Sequence, residues 1–83
     1  MKVIKFGAPW CGSCKSMSTV VESAKDKLPM PVEDIDIDEQ FEIARKYNVR
    51  SVPTLVVVDD SGTEVKRAVG SMNEKQFIQF LTI

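Results

Sequence analysis

A chain of 83 residues suffices for one small domain with a single core, near the size at which marginal stability is expected, and no run of about 18 apolar residues offers a transmembrane helix. Its 11 basic and 12 acidic side chains are interspersed for a net charge of -1, so there is no basic stripe of the kind nucleic acid requires. Two cysteines and no histidine are too few ligands for a tetrahedral zinc site unless the chain dimerises.

The start Met1-Lys2-Val3 leads into a strand over residues 2–6, β-branched at Val3 and Ile4, rather than into a secretory signal. A cytoplasmic location is expected, where cellular thiol pools keep ordinary cysteines reduced and a cysteine pair finds catalytic rather than structural use. Gly7-Ala8-Pro9 breaks the strand just before Trp10-Cys11-Gly12-Ser13-Cys14, which holds both cysteines. That spacing puts two thiols on one helical turn, and between a strand and a helix it reads as a redox motif.

From Cys14, the apolar positions Met17, Val20, Val21, Ala24 and Leu28 follow the i, i+3, i+4, i+7 stripe of a helix buried on one side. Cys14 belongs to that stripe. Cys11, one turn earlier, is expected to be the exposed sulfur at the open amino end, where free N–H groups and the helix dipole favour negative charge. A free thiol titrates near about 8.5 and such a position can bring it to roughly 3.5–7.5, which makes Cys11 the nucleophile and Cys14 the resolving thiol. Other readings of the pair are weaker. A structural disulfide here would close one turn and constrain little of the unfolded chain. Covalent haem attachment needs a histidine after the second cysteine, where Lys15 stands.

The helix runs to about residue 28, where Pro29-Met30-Pro31 forbids continuation. A strand over residues 32–37 follows, whose acids Glu33, Asp34 and Asp36 suit either a sheet edge or a solvated face. Asp38 is the expected N-cap of a helix through Tyr47 with Phe41, Ala44 and Tyr47 on its buried side, ended by Asn48 in the left-handed conformation. Residues 52–58 are nearly all apolar, as in a strand covered on both faces, with Pro53 confined to its start or to a special turn. Asp59-Asp60-Ser61-Gly62 is a turn and residues 63–69 the return strand of a hairpin; Gly70 marks a bend. Asn73 caps the last helix, with Gln76 completing a capping box and Phe77, Ile78 and Leu81 facing inward. The order is βαβαββα, one α/β domain over residues 1–83 without repeat or linker.

Trp10-Cys11-Gly12-Ser13-Cys14 with Lys15 after it, Arg50-Ser51-Val52-Pro53-Thr54 ahead of an apolar strand, and Val69-Gly70 before the last helix together resemble the thioredoxin family over nearly the whole chain. The resemblance implies a thioredoxin-like fold, a four-stranded mixed sheet flanked by helices. It also implies a cis Pro53, with Val52, Pro53 and Thr54 facing a Cys11–Cys14 disulfide and Gly70 lining the same groove. With Trp10, Gly12 and Ser13 these residues would receive a substrate polypeptide, Trp10 as an apolar contact flanking the disulfide. Lys15 would favour the thiolate or simply be solvated.

The sequence also departs from the family. It begins at what would be the second strand of a full thioredoxin, so the leading strand and helix are expected to be lacking and the size resembles a glutaredoxin. Gly7 stands where full thioredoxins usually carry Trp, Ser13 where they carry Pro, and Lys5 where they carry a buried Asp. Aligned through Asp36-Ile37-Asp38, Asp34 falls where they often carry Lys, so two charges have changed places. Either Lys5 and Asp34 pair beneath the disulfide, or Lys5 reaches to solvent. The Gly-Gly-Asp with which glutaredoxins hold glutathione is lacking from the tail of the chain.

The resemblance therefore implies a minimal thioredoxin of the kind found in some phages and archaea. Such a protein reduces the disulfides of other proteins, ribonucleotide reductase among the candidates, without a bound cofactor or metal. It would be a monomer, its electrons coming from NADPH through thioredoxin reductase or from glutathione. The alternatives are a glutathione-dependent, glutaredoxin-like enzyme and a non-catalytic thioredoxin-like binding subunit.

Overall fold

The computed structural model describes residues 1–82. Its elements are β1 (Lys2–Gly7), α1 (Gly12–Ala24) with a 3₁₀ turn (Lys25–Lys27) at its end, β2 (Val32–Asp36), α2 (Phe41–Lys46), β3 (Thr54–Val58), β4 (Glu64–Val69) and α3 (Glu74–Leu81). The βαβαββα order expected from the patterning is the order observed. The four strands form one mixed sheet in the order β2-β1-β3-β4, with β1 parallel to β2 and antiparallel to β3, and β3 antiparallel to β4. The helical crossover makes the first pair parallel, while the short turn ending at Gly62 (φ +85°) makes the last pair a hairpin. The acid-rich β2 lies at the sheet edge, where charge discourages a further strand from pairing.

Alternation along the central strands divides the core in two. Val3 of β1 and Leu55 and Val57 of β3 point toward α1 and α3, against Met17, Ala24, Phe77 and Leu81. Ile4, Phe6, Val56 and Val58 point the other way, against Ile35 and Ala44. Every residue of β3 is buried, as its unbroken apolar run requires. Lys5 lies in register between Val3 and Gly7, on the face covered by α1, and its strand partner on β2 is Asp34. Among the described residues it is the one charged side chain that is buried, 5% exposed.

The ends of the helices show where side chains compete for backbone groups. Asn73 caps α3 as expected: its Oδ1 accepts from Gln76 N at 2.8 Å, and Gln76 Oε1 accepts from Asn73 N at 3.0 Å. Asn48 stops α2 with φ 55°. The start of α2 differs from expectation. The helix begins at Phe41 with Gln40 at its N-cap and no side-chain capping bond, because the Asp36 carbonyl takes the N–H groups of Glu39 and Gln40 and so holds residues 37–40 in a turn. Asp38 sits within that turn, and Phe41, expected on the buried side, is 55% exposed; Ala44 and Tyr47 pack inward as expected, and Ile43 joins them in place of Phe41. Pro53 precedes β3 rather than entering it.

Candidate active site

α1 opens directly on the cysteines. Cys11 is its N-cap, in extended conformation, and its Sγ accepts a hydrogen bond from the backbone N–H of Cys14 at 3.1 Å. The helix therefore aims one of its free N–H groups at this sulfur, the place where an amino terminus stabilises negative charge. Cys11 and Cys14 are joined in a disulfide. In that state both are covered, Cys11 7% and Cys14 4% exposed, so the expected contrast between an exposed and a buried sulfur is small. What separates them is the helix: Cys11 Sγ caps it, and Cys14 lies one turn inside, on the buried stripe with Met17 and Ala24.

Ala8, Cys11 and Cys14 form a small apolar cluster of their own, against which Ile37 and Val52 pack. The Val52–Pro53 peptide is cis. Pro53 is buried, and its carbonyl accepts from Gly70 N at 2.9 Å, tying the bend after β4 to the loop before β3. Gly70 has φ +97°, a conformation that glycine adopts without a Cβ clash. The Thr54 hydroxyl donates to the Ser51 carbonyl at 2.6 Å, so that loop is held at both ends. Gly12, Ser13 and Lys15 are exposed on the first turn of α1.

Trp10 is 68% exposed beside the disulfide, its indole Nε1–H donating to Asp38 Oδ2 at 2.9 Å. That bond gives Asp38 a part in the site that the sequence had not suggested, since an aspartate before a helical pattern reads first as a cap. The available signal was the indole N–H itself, which requires an acceptor, but the acceptor lies 28 residues away along the chain. Ala8 and Ile37 were likewise not singled out, and both touch the cysteines.

Beneath the disulfide the Lys5 ammonium meets Asp34 Oδ1 at 3.1 Å, so the pair forms; only one member is buried, with side-chain exposures of 6% for Lys5 and 73% for Asp34. Among the described residues no group of three or more Cys, Asp or Glu is arranged to hold a metal ion. No described helix is long and apolar enough to cross a membrane. The arrangement thus supplies two joined sulfurs at a helix amino terminus, an apolar rim and an exposed aromatic.

A family model described as Thioredoxin matches residues 1–83. The chain belongs to the thioredoxin family. The thioredoxin of Chlamydia trachomatis is 37% identical over 81 residues, covering 96% of this chain and 78% of that protein. The thioredoxin of Bacillus subtilis is 43% identical over 67 residues, 78% of this chain and 64% of its own. Among solved structures, a mutant thioredoxin from Halobacterium salinarum superposes with a TM-score of 0.88 at 36% identity, over 96% of this chain and 70% of that one. Fasciola hepatica thioredoxin gives 0.86 at 35% identity, over 98% and 77%. Family and disulfide together make this chain a thiol-disulfide oxidoreductase, one that works through Cys11 and Cys14 without a prosthetic group. Thioredoxins generally reduce disulfide substrates and are recycled through thioredoxin reductase.

Proposed function

We propose that this chain is a cytoplasmic, monomeric, single-domain reductant of protein disulfides in which Cys11 is the nucleophile and Cys14 the resolving thiol. The observation that carries the assignment is the Cys14 N–H directed at Cys11 Sγ at the start of α1, which stabilises a thiolate on Cys11. In the first exchange the Cys11 thiolate attacks one sulfur of the substrate disulfide, forming a mixed disulfide and expelling the other sulfur as a thiolate. In the second, Cys14 loses its proton and attacks Cys11 Sγ; the Cys11–Cys14 bond forms, the mixed disulfide breaks, and the second substrate thiolate leaves. The substrate gains two electrons and the pair loses two. Trp10, Gly12, Ser13, Val52, Pro53, Thr54 and Gly70 form the surface on which the polypeptide lies.

Electrons come from NADPH through thioredoxin reductase in this reading. It is supported by the surroundings of the loop: a glutathione site needs cations for two carboxylates, yet Ser51, Val69, Ser71 and Met72 carry none, and the nearby Arg50 Nε is directed at Asn48 Oδ1 at 3.5 Å. The test is reduction of insulin disulfides with either NADPH and thioredoxin reductase or glutathione as donor. Turnover with the reductase, loss of it in Cys11→Ser, and a trapped mixed disulfide on Cys11 in Cys14→Ser are expected. Turnover with glutathione alone would assign the donor differently, and activity surviving substitution of both cysteines by Ser would overturn the catalytic reading in favour of a binding subunit.

A further inference from the structure

A cavity of about 190 Å³ opens beneath the active-site helix, its lining including Lys5 and Gly7 of β1, Asp34 and Asp36 of β2, and Cys14 and Lys15 of α1. Its floor is a buried ammonium and one of its walls is the resolving cysteine. The missing side chain of Gly7 brings them together. A Cβ on Gly7 would lie 3.4 Å from Cys14 Sγ and 3.8 Å from Lys5 Nζ, so those two atoms border the same empty spot and are no farther apart than the sum of the two distances. Alternation along β1 puts Lys5 on the α1 face beside Gly7, and the parallel register sets Asp34 opposite it. Asp34 holds the ammonium at 3.1 Å but is itself 73% exposed, so it neutralises Lys5 only in part.

We propose that Lys5 is a positioning residue for the second thiol exchange: its ammonium, anchored by Asp34 at the cavity floor, stabilises the thiolate that Cys14 must become to attack Cys11. The inference rests on the dithiol reading above and deepens it. Lys5 keeps its own proton. The proton lost by Cys14 leaves through the open cavity to water, the Cys14–Cys11 bond forms as the Cys11–substrate bond breaks, and the electron pair goes out on the substrate sulfur. The other charges facing the cavity are Asp34 and Asp36 from β2 and Lys15 from α1. The two carboxylates disfavour the thiolate and Lys15 favours it; Asp34 and Lys15 are exposed and Asp36 is half-buried, with its Oδ1 accepting from Asp38 N at 2.8 Å, so all three are screened more than the buried Lys5. A single charge at this range, with an effective dielectric constant of about 20 and partial neutralisation by Asp34, is worth about tenfold in thiolate fraction.

The test uses the full chain with Cys11→Ser, in which Cys14 is the sole thiol, and follows thiolate absorbance near 240 nm against pH. Adding Lys5→Met should move the Cys14 midpoint up by about one pH unit, and Lys5→Arg should leave it close to the Lys5 value. A purely structural role for Lys5 predicts lost stability without a moved midpoint; an unmoved or lowered midpoint in Lys5→Met overturns the proposal. Should Lys5→Met not fold, Lys5→Gln is read in the same way. In the chain with both cysteines, substrate release from the preformed mixed disulfide should slow about tenfold at neutral pH in Lys5→Met, with attack by Cys11 little changed. Because the titration needs no substrate, its failure is distinct from failure of insulin reduction, which would test the dithiol reading instead.

Discussion

Trp10 presents an aromatic ring to solvent next to the disulfide, and its replacement by Ala separates docking from folding. The ring is 68% exposed, and its polar contact in the structure is the bond from Nε1 to Asp38 Oδ2. Folding therefore gains little from it: loss of an exposed hydrogen bond of about 0.5–1.5 kcal/mol is the expected stability change. Binding is another matter. An aromatic side chain offers about 150–250 Å² of contact area, and most of this one is uncovered. If a docked polypeptide covers half of it, area burial at about 25 cal/mol per Å² is worth about 2–3 kcal/mol. The ordering of substrate side chains takes back about 1 kcal/mol, leaving about 1–2 kcal/mol, a factor of about 5–30 in affinity.

The assay is kcat/KM for insulin reduction alongside that for a small disulfide such as hydroxyethyl disulfide, with urea unfolding of the same proteins. Trp10→Ala should lose about tenfold on insulin, through KM, and little on the small disulfide, which cannot span the ring. An equal loss on both substrates would show that Trp10 acts on the thiols rather than on docking and would refute the argument. A stability loss of about 3 kcal/mol or more would refute the premise that the ring is idle in the fold.

Ser13→Pro should be accommodated, since Ser13 lies in the first turn of α1, where a missing N–H breaks no helical bond. By limiting the backbone between the cysteines it should make the protein more reducing than its parent, whose potential is expected between roughly -260 and -200 mV, and equilibration with glutathione will show a shift of the wrong sign if the reasoning fails. Phe77→Ala removes a fully buried ring from the core shared by α1, α3 and β3 and should cost about 3–5 kcal/mol in urea unfolding; a loss under about 1.5 kcal/mol would mean that α3 is not seated as described. In the hairpin turn, the Ser61 hydroxyl first, then the Thr63 N–H, hold the Asp59 carboxyl below its ordinary value. A depressed carboxyl contributes stability that is fully present above its unfolded value of about 3.9 and lost as pH falls through the lower folded value, so Asp59→Asn should flatten the loss of stability with acid below about pH 4. An acid profile parallel to that of the parent would contradict this.

Much of the fold was legible because each element carries its own punctuation. The cysteine helix starts where Gly7-Ala8-Pro9 ends a strand, the buried strand is an unbroken apolar run before Asp59, and the Asn73/Gln76 box announces α3 within four residues of itself. These are local signals with local partners. The start of α2 was misread because its competitors lie outside the helix: the Asp36 carbonyl claims the Gln40 N–H that an Asp38 cap would serve, and the Trp10 indole claims the Asp38 carboxylate. With the helix so shortened, Phe41 stands at its first position and turns outward. A capping preference is worth about 1 kcal/mol, and a tertiary hydrogen bond of the same size can cancel it.

The site shows the same division at higher stakes. Cys11, Cys14, Pro53 and Gly70 could be read because chemistry or backbone geometry restricts which residues can stand there. Lys5 and Asp34 could be paired by alignment, but alignment is silent on burial, which decides their use. A charge pair with both members buried would be nearly neutral from outside and would pass little field to the sulfurs. Here the sheet order makes the pair asymmetric: β1 is central and covered by α1, while β2 is the edge. The ammonium is thereby enclosed and its counter-charge left in water. Water screens Asp34 far more than the interior screens Lys5, so the contribution of this pair to the field at the cavity is positive, although the two formal charges cancel. The sign of what this pair contributes beneath the disulfide is thus set by which strand lies at the edge, and it changes neither the fold nor the cysteine motif that the sequence displays most openly.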